Sequence, residues 1–144
     1  MTINKTIDYY NKKSEEYTQK AFSLDTFSIM KDFLYYLPEN AHILDAGCGP
    51  GRDVLVFKNL GYKVTGMDAS EDMVRIAQEK TQCPIVQKRF EQMDWISDFE
   101  GVWCMASLLH LENDELRVAL ANIKKALKSN GVVYASFKEG EDNF

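Results

Sequence analysis

The stretch LDAGCGPGRD, residues 44–53, decides how this chain is interpreted. It places Gly47, Gly49 and Gly51 between the apolar run HILDA at 42–46 and a run whose apolar residues have helical spacing. Glycine accepts positive φ and lets a ligand approach the main chain. The N-terminus of the helix that follows presents N–H groups to the same place. We therefore predict a strand, a ligand-binding glycine loop and a helix over 42–60.

Apolar and polar runs alternate along the rest of the chain and predict strands separated by helices. The predicted strands are 42–46, 62–68, a short IVQ strand, one within 99–106, and 132–137, and the predicted helices are 5–20, 22–36, 52–60, 71–80 and 113–128. Such alternation favours a parallel sheet covered by helices on both faces. We expect an α/β fold, a Rossmann-like, doubly wound, mostly parallel sheet in a three-layer αβα arrangement. It would form a single domain over 1–144, with the sheet core at 42–137.

Two of the predicted helices carry apolar stripes that we expect to face the core. The residues of these stripes are Val54, Phe57 and Leu60 in the helix 52–60, and Leu116, Leu120, Ile123 and Leu127 in the helix 113–128. Gly61 and Gly131 follow these helices as stop signals.

Composition narrows the classes of partner. The net charge is −5 and no long basic run is present, which argues against nucleic acid, because neutralising phosphates requires clustered Lys and Arg. No apolar run approaches the ~20 residues of a membrane helix, and the N-terminus lacks the apolar block of a signal peptide. We expect a cytoplasmic protein without a membrane partner. The three cysteines show no C-x-x-C spacing, so neither a disulfide framework nor a metal site is predicted.

Asp68 ends the second predicted strand, where an acidic residue can accept hydrogen bonds from both hydroxyls of a ribose. A dinucleotide site usually shows G-x-G-x-x-G with a pyrophosphate at the helix N-terminus, whereas this loop has G-x-G-x-G with Pro50 inside it. Asp45, just before the loop, is a poor neighbour for a pyrophosphate and a good one for an ammonium group. A ribose together with a methionine ammonium describes S-adenosylmethionine.

The motifs also resemble a known family. ILDAGCGPGRD, VTGMDAS and GVWCMASLLHL look like the first, second and fourth motifs of class I S-adenosylmethionine-dependent methyltransferases. YYNKKSEEY, ASLLHL and GVVYASFKEGE together are similar to the small tellurite-resistance-like methyltransferases. The resemblance implies methyl transfer from S-adenosylmethionine to a small-molecule acceptor. Because that family usually continues beyond this point, it also implies a chain truncated at the C-terminus and a sheet lacking the last strands.

The resemblance assigns roles to matching positions. It implies that Asp45 orients the ammonium, that the main chain of Gly47, Cys48 and Gly49 lines the methionine part, and that Asp68 holds the ribose. The other implied cofactor contacts are Ala69, Met73, Phe90 and Glu91 around the adenine, Cys104, Met105 and Ala106 beside the methionine part, and Tyr10 and Tyr17 in N-terminal helices, 5–36, that cover the cofactor. Arg89 stands near a place where the family commonly has an acidic residue, so main chain could make the adenine contact.

Several alternatives stay open at this level. His110 is either a catalytic proton acceptor or a structural hydrogen-bonding residue, and Arg52 either binds an anion or forms a salt bridge. A catalytically weak or inactive S-adenosylmethionine-binding module is the alternative function. Such a module would form a homodimer, or pair with a partner, through an exposed strand edge at 132–137. A nicotinamide-dependent oxidoreductase is the third.

Overall fold

A computed structural model describes residues 24–136, with side chains from residue 26 onward. Its strands are β1 His42–Ala46, β2 Lys63–Asp68, β3 Ile85–Gln87, β4 Phe99–Cys104 and β5 Leu127–Ala135. Its helices are α1 Leu24–Tyr35, α2 Arg52–Asn59, α3 Glu71–Thr81 and α4 Asn113–Ala126, with short 3₁₀ turns at Phe90–Gln92 and Leu108–His110. The predicted helix 5–20 lies outside the described residues.

The five strands form one sheet in the order β3-β2-β1-β4-β5, and every neighbouring pair is parallel. Side chains alternate between its two faces, as strand geometry requires. Ile43 packs into a core with residues of α1, α2 and α3, whereas Leu44 and Ala46 pack into a second core with residues of α4. The predicted Rossmann-like αβα fold is confirmed.

The topology fixes where a ligand would bind. From β1 the chain passes to β2 on one side, and β4 pairs with β1 on the other side. The strand order therefore reverses between β1 and β4. In open parallel sheets ligands bind at such a point, outside the carboxyl ends of the strands.

The C-terminal part of the sheet differs from the prediction. The helix predicted for 113–128 ends at Ala126, and the strand predicted for 132–137 begins earlier, at Leu127. Tertiary contacts cause this difference. The N–H groups of Ser97 and Asp98 donate hydrogen bonds to the carbonyls of Lys125 and Ala126, and Leu127 pairs with Phe99. Between the pairs Phe99–Leu127 and Gly101–Val132 the register shifts, so the extra residues of β5 bulge before regular pairing resumes.

Three residues of the predicted apolar stripes do not face the core as helix residues. Leu60 is 53% exposed, because α2 ends one residue earlier and Leu60 belongs to the turn that leads into Gly61. Leu120 is 46% exposed, because the buried face of α4 runs through Ala119, Ile123 and Ala126 instead. Leu127 packs against the second core, but as part of β5.

Candidate functional site

A cleft opens at the carboxyl ends of β1, β2 and β4. Its empty volume is about 990 Å³, which includes space open to solvent. Eleven predicted site residues line it: Asp45, Gly47, Cys48, Gly49, Asp68, Ala69, Phe90, Glu91, Met105, Ala106 and His110. The fold thus brings together residues that lie up to 65 positions apart in the chain.

The glycine loop directs its main-chain donors away from any ligand. The N–H groups of Gly47 and Cys48 both donate to the carbonyl of Met67, at 2.7 and 2.9 Å. The N–H of Gly49 donates to Asp68 Oδ2 at 2.9 Å. A loop that holds a pyrophosphate needs these donors for the phosphate oxygens. These three donors are therefore not available to a pyrophosphate.

Glycine is required in this loop for two different reasons. Gly47 has φ +87°, and a Cβ there would lie 2.4 Å from Ser107 Cβ, so the loop that follows β4 fills the space. Gly49 has φ +55°, and a Cβ there would meet nothing within 4 Å. Gly47 thus permits close packing of two loops, whereas Gly49 leaves room at the cleft wall.

The carboxylate of Asp68 accepts hydrogen bonds from main-chain N–H groups at both of its oxygens. Its Oδ1 accepts from Ser70 N–H and its Oδ2 from Gly49 N–H, each at 2.9 Å. Burial raises the pKa of Asp68, and the hydrogen bonds from Ser70 and Gly49 partly offset this. Each carboxylate oxygen can accept more than one hydrogen bond. Asp68 therefore keeps acceptor capacity for hydroxyl groups such as those of a ribose.

Asp45 is a buried carboxylate whose hydrogen-bonding capacity is not fully used. It is 2% exposed, and its Oδ2 has no hydrogen-bond partner among the described residues. Burial raises the pKa of Asp45 well above its usual range, the negative charges of Asp53 and Asp68 raise it further, and Arg52 offsets this in part. A buried carboxylate without a partner is costly. A cationic ligand group would supply the missing interaction, so the site fits an ammonium.

Arg52 and Asp53 form an ion pair directly behind the loop. Arg52 Nη2 and Nε lie 2.6 and 2.9 Å from Asp53 Oδ1. Asp53 Oδ2 accepts a hydrogen bond of 2.9 Å from the indole N–H of Trp103. The salt bridge that was one of two expectations for Arg52 is therefore present, and both residues line the cleft.

The loop that follows β4 forms the opposite wall. Ala106 has φ +57°, and its N–H donates to Ser136 Oγ at 2.6 Å. Ser107 Oγ donates to the carbonyl of Ala46 at 2.8 Å, which ties this loop to β1. His110 Nε2 is buried without a hydrogen-bond partner in the part of the chain described, and burial lowers the pKa of His110. The lowered pKa favours the neutral form of this imidazole.

Two predicted cofactor contacts do not reach the cleft wall. Cys104 is fully buried, because strand alternation turns it into the core beside Leu44 and Ala46, and burial raises the pKa of its thiol to about 12. Met73 is also buried, since it lies on the inner face of α3. Tyr10 and Tyr17 lie outside the described residues.

Sequence reasoning missed part of the wall. Besides Arg52, whose role was open, and Arg89, which was noted near the adenine contact, the residues concerned are Pro50, Asp53, Met67, Lys88, Ser107 and Leu111. The signal for most of them was position: they adjoin the predicted ends of strands, where side chains converge on one edge of the sheet. Asp53 gave no such signal, because its role depends on Trp103, which is 50 residues away.

Comparison with known proteins identifies the family. The sequence profile of the family described as "Methyltransferase domain" matches residues 43–131. This span contains the glycine loop, Asp68 and the loop that follows β4. The chain therefore belongs to the methyltransferase-domain family.

Individual relatives agree with this assignment. A putative methyltransferase of Bacillus subtilis, YqeM, is 36% identical in an alignment of 120 residues that covers 73% of this chain and 47% of that protein. A TehB-like SAM-dependent methyltransferase from Corynebacterium glutamicum shares the fold with a TM-score of 0.72 at 24% identity, over 90% of this chain and 72% of that one. Magnesium protoporphyrin IX methyltransferase from Synechocystis, solved with bound SAM, has a TM-score of 0.59 at 24% identity, over 77% of this chain and 54% of that one.

The matched region covers less than two thirds of the length of these curated relatives. It spans 40% and 47% of the length of two curated relatives and 63% of a third. Over residues 24–136, no helix is long and apolar enough to cross a membrane. In the same residues, no group of three or more His, Cys, Asp or Glu is placed to hold a metal ion.

Proposed function

We propose that the protein transfers the methyl group of S-adenosylmethionine to a small-molecule acceptor. The observation that carries this proposal is the pairing of two carboxylates, Asp45 and Asp68, with a glycine loop whose N–H groups are used internally. Such a site suits a cationic nucleoside and disfavours a pyrophosphate. The small acceptor and the tellurite-resistance-like subfamily rest on the sequence resemblance. The cytoplasmic location and the absence of nucleic acid and membrane partners rest on charge and composition.

The cofactor would be held from both ends. Asp45 would take the ammonium and Asp68 the ribose hydroxyls, with the Gly47–Gly49 main chain between them. Phe90 and Glu91 lie in the 3₁₀ turn after β3 and would flank the adenine together with Ala69. Met105 and Ala106 would lie beside the methionine part, and Tyr10 and Tyr17 would cover it.

The chain's own contribution to the chemistry is orientation and proton transfer. The bound cofactor supplies a methyl group already activated by a sulfonium. Holding the acceptor in line with that group lowers the barrier through orientation. A neutral imidazole is a suitable proton acceptor for a hydroxyl or thiol, so His110 would take the acceptor's proton during the reaction. The buried Nε2 of His110 at the cleft wall supports this role.

Calorimetry with S-adenosylmethionine and with NAD tests the cofactor, and labelled methyl transfer to a panel of small acceptors tests the reaction. We expect saturable binding of S-adenosylmethionine alone and label transfer to at least one acceptor. His110→Gln should reduce turnover while leaving cofactor affinity within about twofold. Tight NAD binding in the same titration would overturn the proposal.

A binding module is the second candidate, because β5 forms an edge of the described sheet. In residues 24–136 it pairs with β4 alone, and Val133 is 46% exposed. Apolar strand edges tend to pair with another strand. Light scattering should then show a homodimer that Val133→Lys dissociates. Cofactor binding without methyl transfer, in a protein that dimerises through β5, would favour this candidate over the enzyme.

A further inference from the structure

A serine hydroxyl that is not part of the cleft surface holds one wall of the cleft. Ser136 directly follows β5, and its N–H donates to the carbonyl of Cys104 at 3.1 Å, which continues the pairing of β5 with β4. Met105 and Ala106, which follow β4, line the cleft, whereas Ser136 does not. Ser136 can therefore act on a ligand only through this wall.

The Ser136 hydroxyl both accepts and donates a hydrogen bond at the wall. Its oxygen accepts the N–H of Ala106 at 2.6 Å, and its O–H donates to Met105 Sδ at 3.4 Å. A hydroxyl has a single proton to donate, and here that proton is used on the thioether. One side chain at the end of β5 thus holds two successive residues of the wall.

The main chain that Ser136 holds is strained. Ala106 has φ +57°, in the left-handed region that costs free energy for any residue with a Cβ. Such conformations persist only where surrounding contacts enforce them, and they concentrate at functional sites. The hydrogen bond from Ala106 N–H to Ser136 Oγ is such a contact. Without it, Ala106 would relax toward an ordinary backbone conformation.

The strained residue lies at the start of the segment that carries His110. Ser107 Oγ donates to the carbonyl of Ala46 at 2.8 Å, and Leu108 is buried in the core. The 3₁₀ turn that ends at His110 follows, and it places the buried Nε2 of this histidine at the cleft wall. The conformation of Ala106 therefore sets the direction in which the chain enters this turn.

We propose that Ser136 is a positioning residue for methyl transfer: by holding Ala106 in the left-handed conformation, it fixes Met105 and His110 at the cleft wall. The inference rests on the proposed function, in which His110 takes the acceptor's proton and Met105 lies beside the methionine part. Transfer is fast only when the acceptor, the methyl group and the proton acceptor are held in line. Loosening this wall should therefore slow the chemical step.

Cofactor affinity should depend much less on Ser136. The carboxylates proposed to hold the cofactor, Asp45 and Asp68, belong to β1 and β2. Asp68 is fixed by the N–H groups of Gly49 and Ser70, none of which contacts the loop that follows β4 in an observed hydrogen bond. A change in turnover without a matching change in affinity is thus the signature of the proposed role.

Four variants separate the hydroxyl from the strain. Ser136→Ala removes the hydroxyl and Ser136→Thr keeps it. The double variant Ser136→Ala with Ala106→Gly removes the hydroxyl and the strain together, because glycine adopts positive φ readily. Ser129→Ala is the matched control, since Ser129 is exposed in the bulged part of the same strand.

The first measurement needs no acceptor. The chain has two histidines, so NMR titration of their ring protons reports on His110, with His42 at the other end of the sheet as an internal reference. Burial lowers the pKa of His110, so release of the loop in Ser136→Ala should raise this pKa toward its ordinary value. Ser136→Thr should keep the wild-type pKa, the double variant should lie between, and the pKa of His42 should not change.

The second measurement separates turnover from binding. With an acceptor that the wild type labels, Ser136→Ala should lower kcat about 10-fold and leave the dissociation constant of S-adenosylmethionine within about threefold, because alignment and not cofactor contact is lost. Ser136→Thr should recover most of the lost kcat and the double variant part of it, and Ser129→Ala should match the wild type. A contact that serves stability alone would lower the melting temperature of Ser136→Ala without this difference between kcat and affinity.

Two results would overturn the inference while leaving the proposed function in place. One is an unchanged His110 pKa in a Ser136→Ala protein that still melts cooperatively, and the other is a raised pKa with unchanged kcat. A wild type that neither binds S-adenosylmethionine nor transfers label would overturn the proposed function, and with it the role of Ser136 in methyl transfer.

Discussion

The two ends of the same parallel sheet differ in whether their polar groups find hydrogen-bond partners. At the amino end, Glu100 accepts a hydrogen bond from His42 N–H and pairs with Lys128 at 2.6 Å, and His42 Nε2 lies 2.8 Å from Thr65 Oγ1. At the carboxyl end, Asp45 Oδ2 is buried without a hydrogen-bond partner among the described residues. The polar side chains named at the amino end thus have hydrogen-bond partners, whereas a carboxylate oxygen at the carboxyl end has none among the described residues.

The pKa values of the carboxylates follow this division. Partial burial pulls the pKa of Glu100 upward, but the His42 N–H and Lys128 outweigh it and hold the pKa below its usual range. Burial raises the pKa values of Asp45 and Asp68 instead. Perturbed groups of this kind concentrate at functional sites. The comparison supports the proposal that the carboxyl end binds a cationic group.

The largest expected effect comes from filling the space at Gly47. Gly47→Ala adds a Cβ at φ +87° that would lie 2.4 Å from Ser107 Cβ, so we expect a loss of about 3 kcal/mol in the free energy of unfolding. Gly61→Ala is the matched control, because Gly61 has φ +97° but nothing within 4 Å of its Cβ position. It should cost about 1 kcal/mol. Urea denaturation measures both, and equal losses would show that the contact with Ser107 is unimportant.

Removing the ribose acceptor should give the next largest effect. Asp68→Ala deletes a carboxylate that also holds Gly49 N–H and Ser70 N–H, so the affinity for S-adenosylmethionine should fall by about 1–3 kcal/mol. Glu100→Ala removes a carboxylate at the other end of the sheet and should leave the affinity within about twofold. Calorimetry on both variants decides the matter; an unchanged constant for Asp68→Ala would place the ribose elsewhere.

The raised pKa of Asp45 predicts that the stability of the protein depends on pH. At pH values between the ordinary and the raised pKa of Asp45, this side chain is protonated in the native protein and ionised in the unfolded chain. The free energy of unfolding of the ligand-free protein should therefore fall as pH rises through that window. Asp45→Asn should flatten the decline, with Asp68 contributing a similar background in both proteins. Urea midpoints measured across the pH range would reveal this.

Glu100→Gln is the opposite control for that experiment. The pKa of Glu100 is lowered, so its contribution to stability is present above its ordinary pKa and is lost as pH falls through the lowered value. The slope removed by Glu100→Gln should have the opposite sign to that removed by Asp45→Asn. Slopes of the same sign would contradict the contrast between the two ends.

The smallest effect is expected at the Glu100–Lys128 ion pair. Lys128 is half exposed, and such surface pairs contribute about 0–1 kcal/mol. Lys128→Met should therefore change the free energy of unfolding by less than about 1 kcal/mol and leave cofactor affinity unchanged. A fall in affinity would show that the amino end is coupled to the site.

The positions of the strands and of the glycine loop could be predicted because local patterns determine them. β1 was predicted with its observed bounds, and Asp45 and Asp68 were placed at strand ends that the fold brings to one edge. The start of β5 could not be predicted, because Leu127 continues a helical stripe and only its pairing with Phe99 makes it a strand residue.

Side-chain direction was the harder problem at the site. Cys104 was expected at the cleft because it ends β4, but strand alternation turns it inward and leaves Met105 at the wall. The Trp103–Asp53–Arg52 connection depends on a contact between residues 50 positions apart, which no local pattern encodes.

The most direct test of the central claim measures the protons that are released when the cofactor binds. Titrating S-adenosylmethionine in buffers of equal pH but different ionisation enthalpy, within the range where Asp45 titrates, measures the protons released on binding. A cation beside Asp45 lowers its pKa, so we predict net proton release by the wild type and its loss in Asp45→Asn. Cofactor binding by the wild type without any proton release in that range would contradict the account.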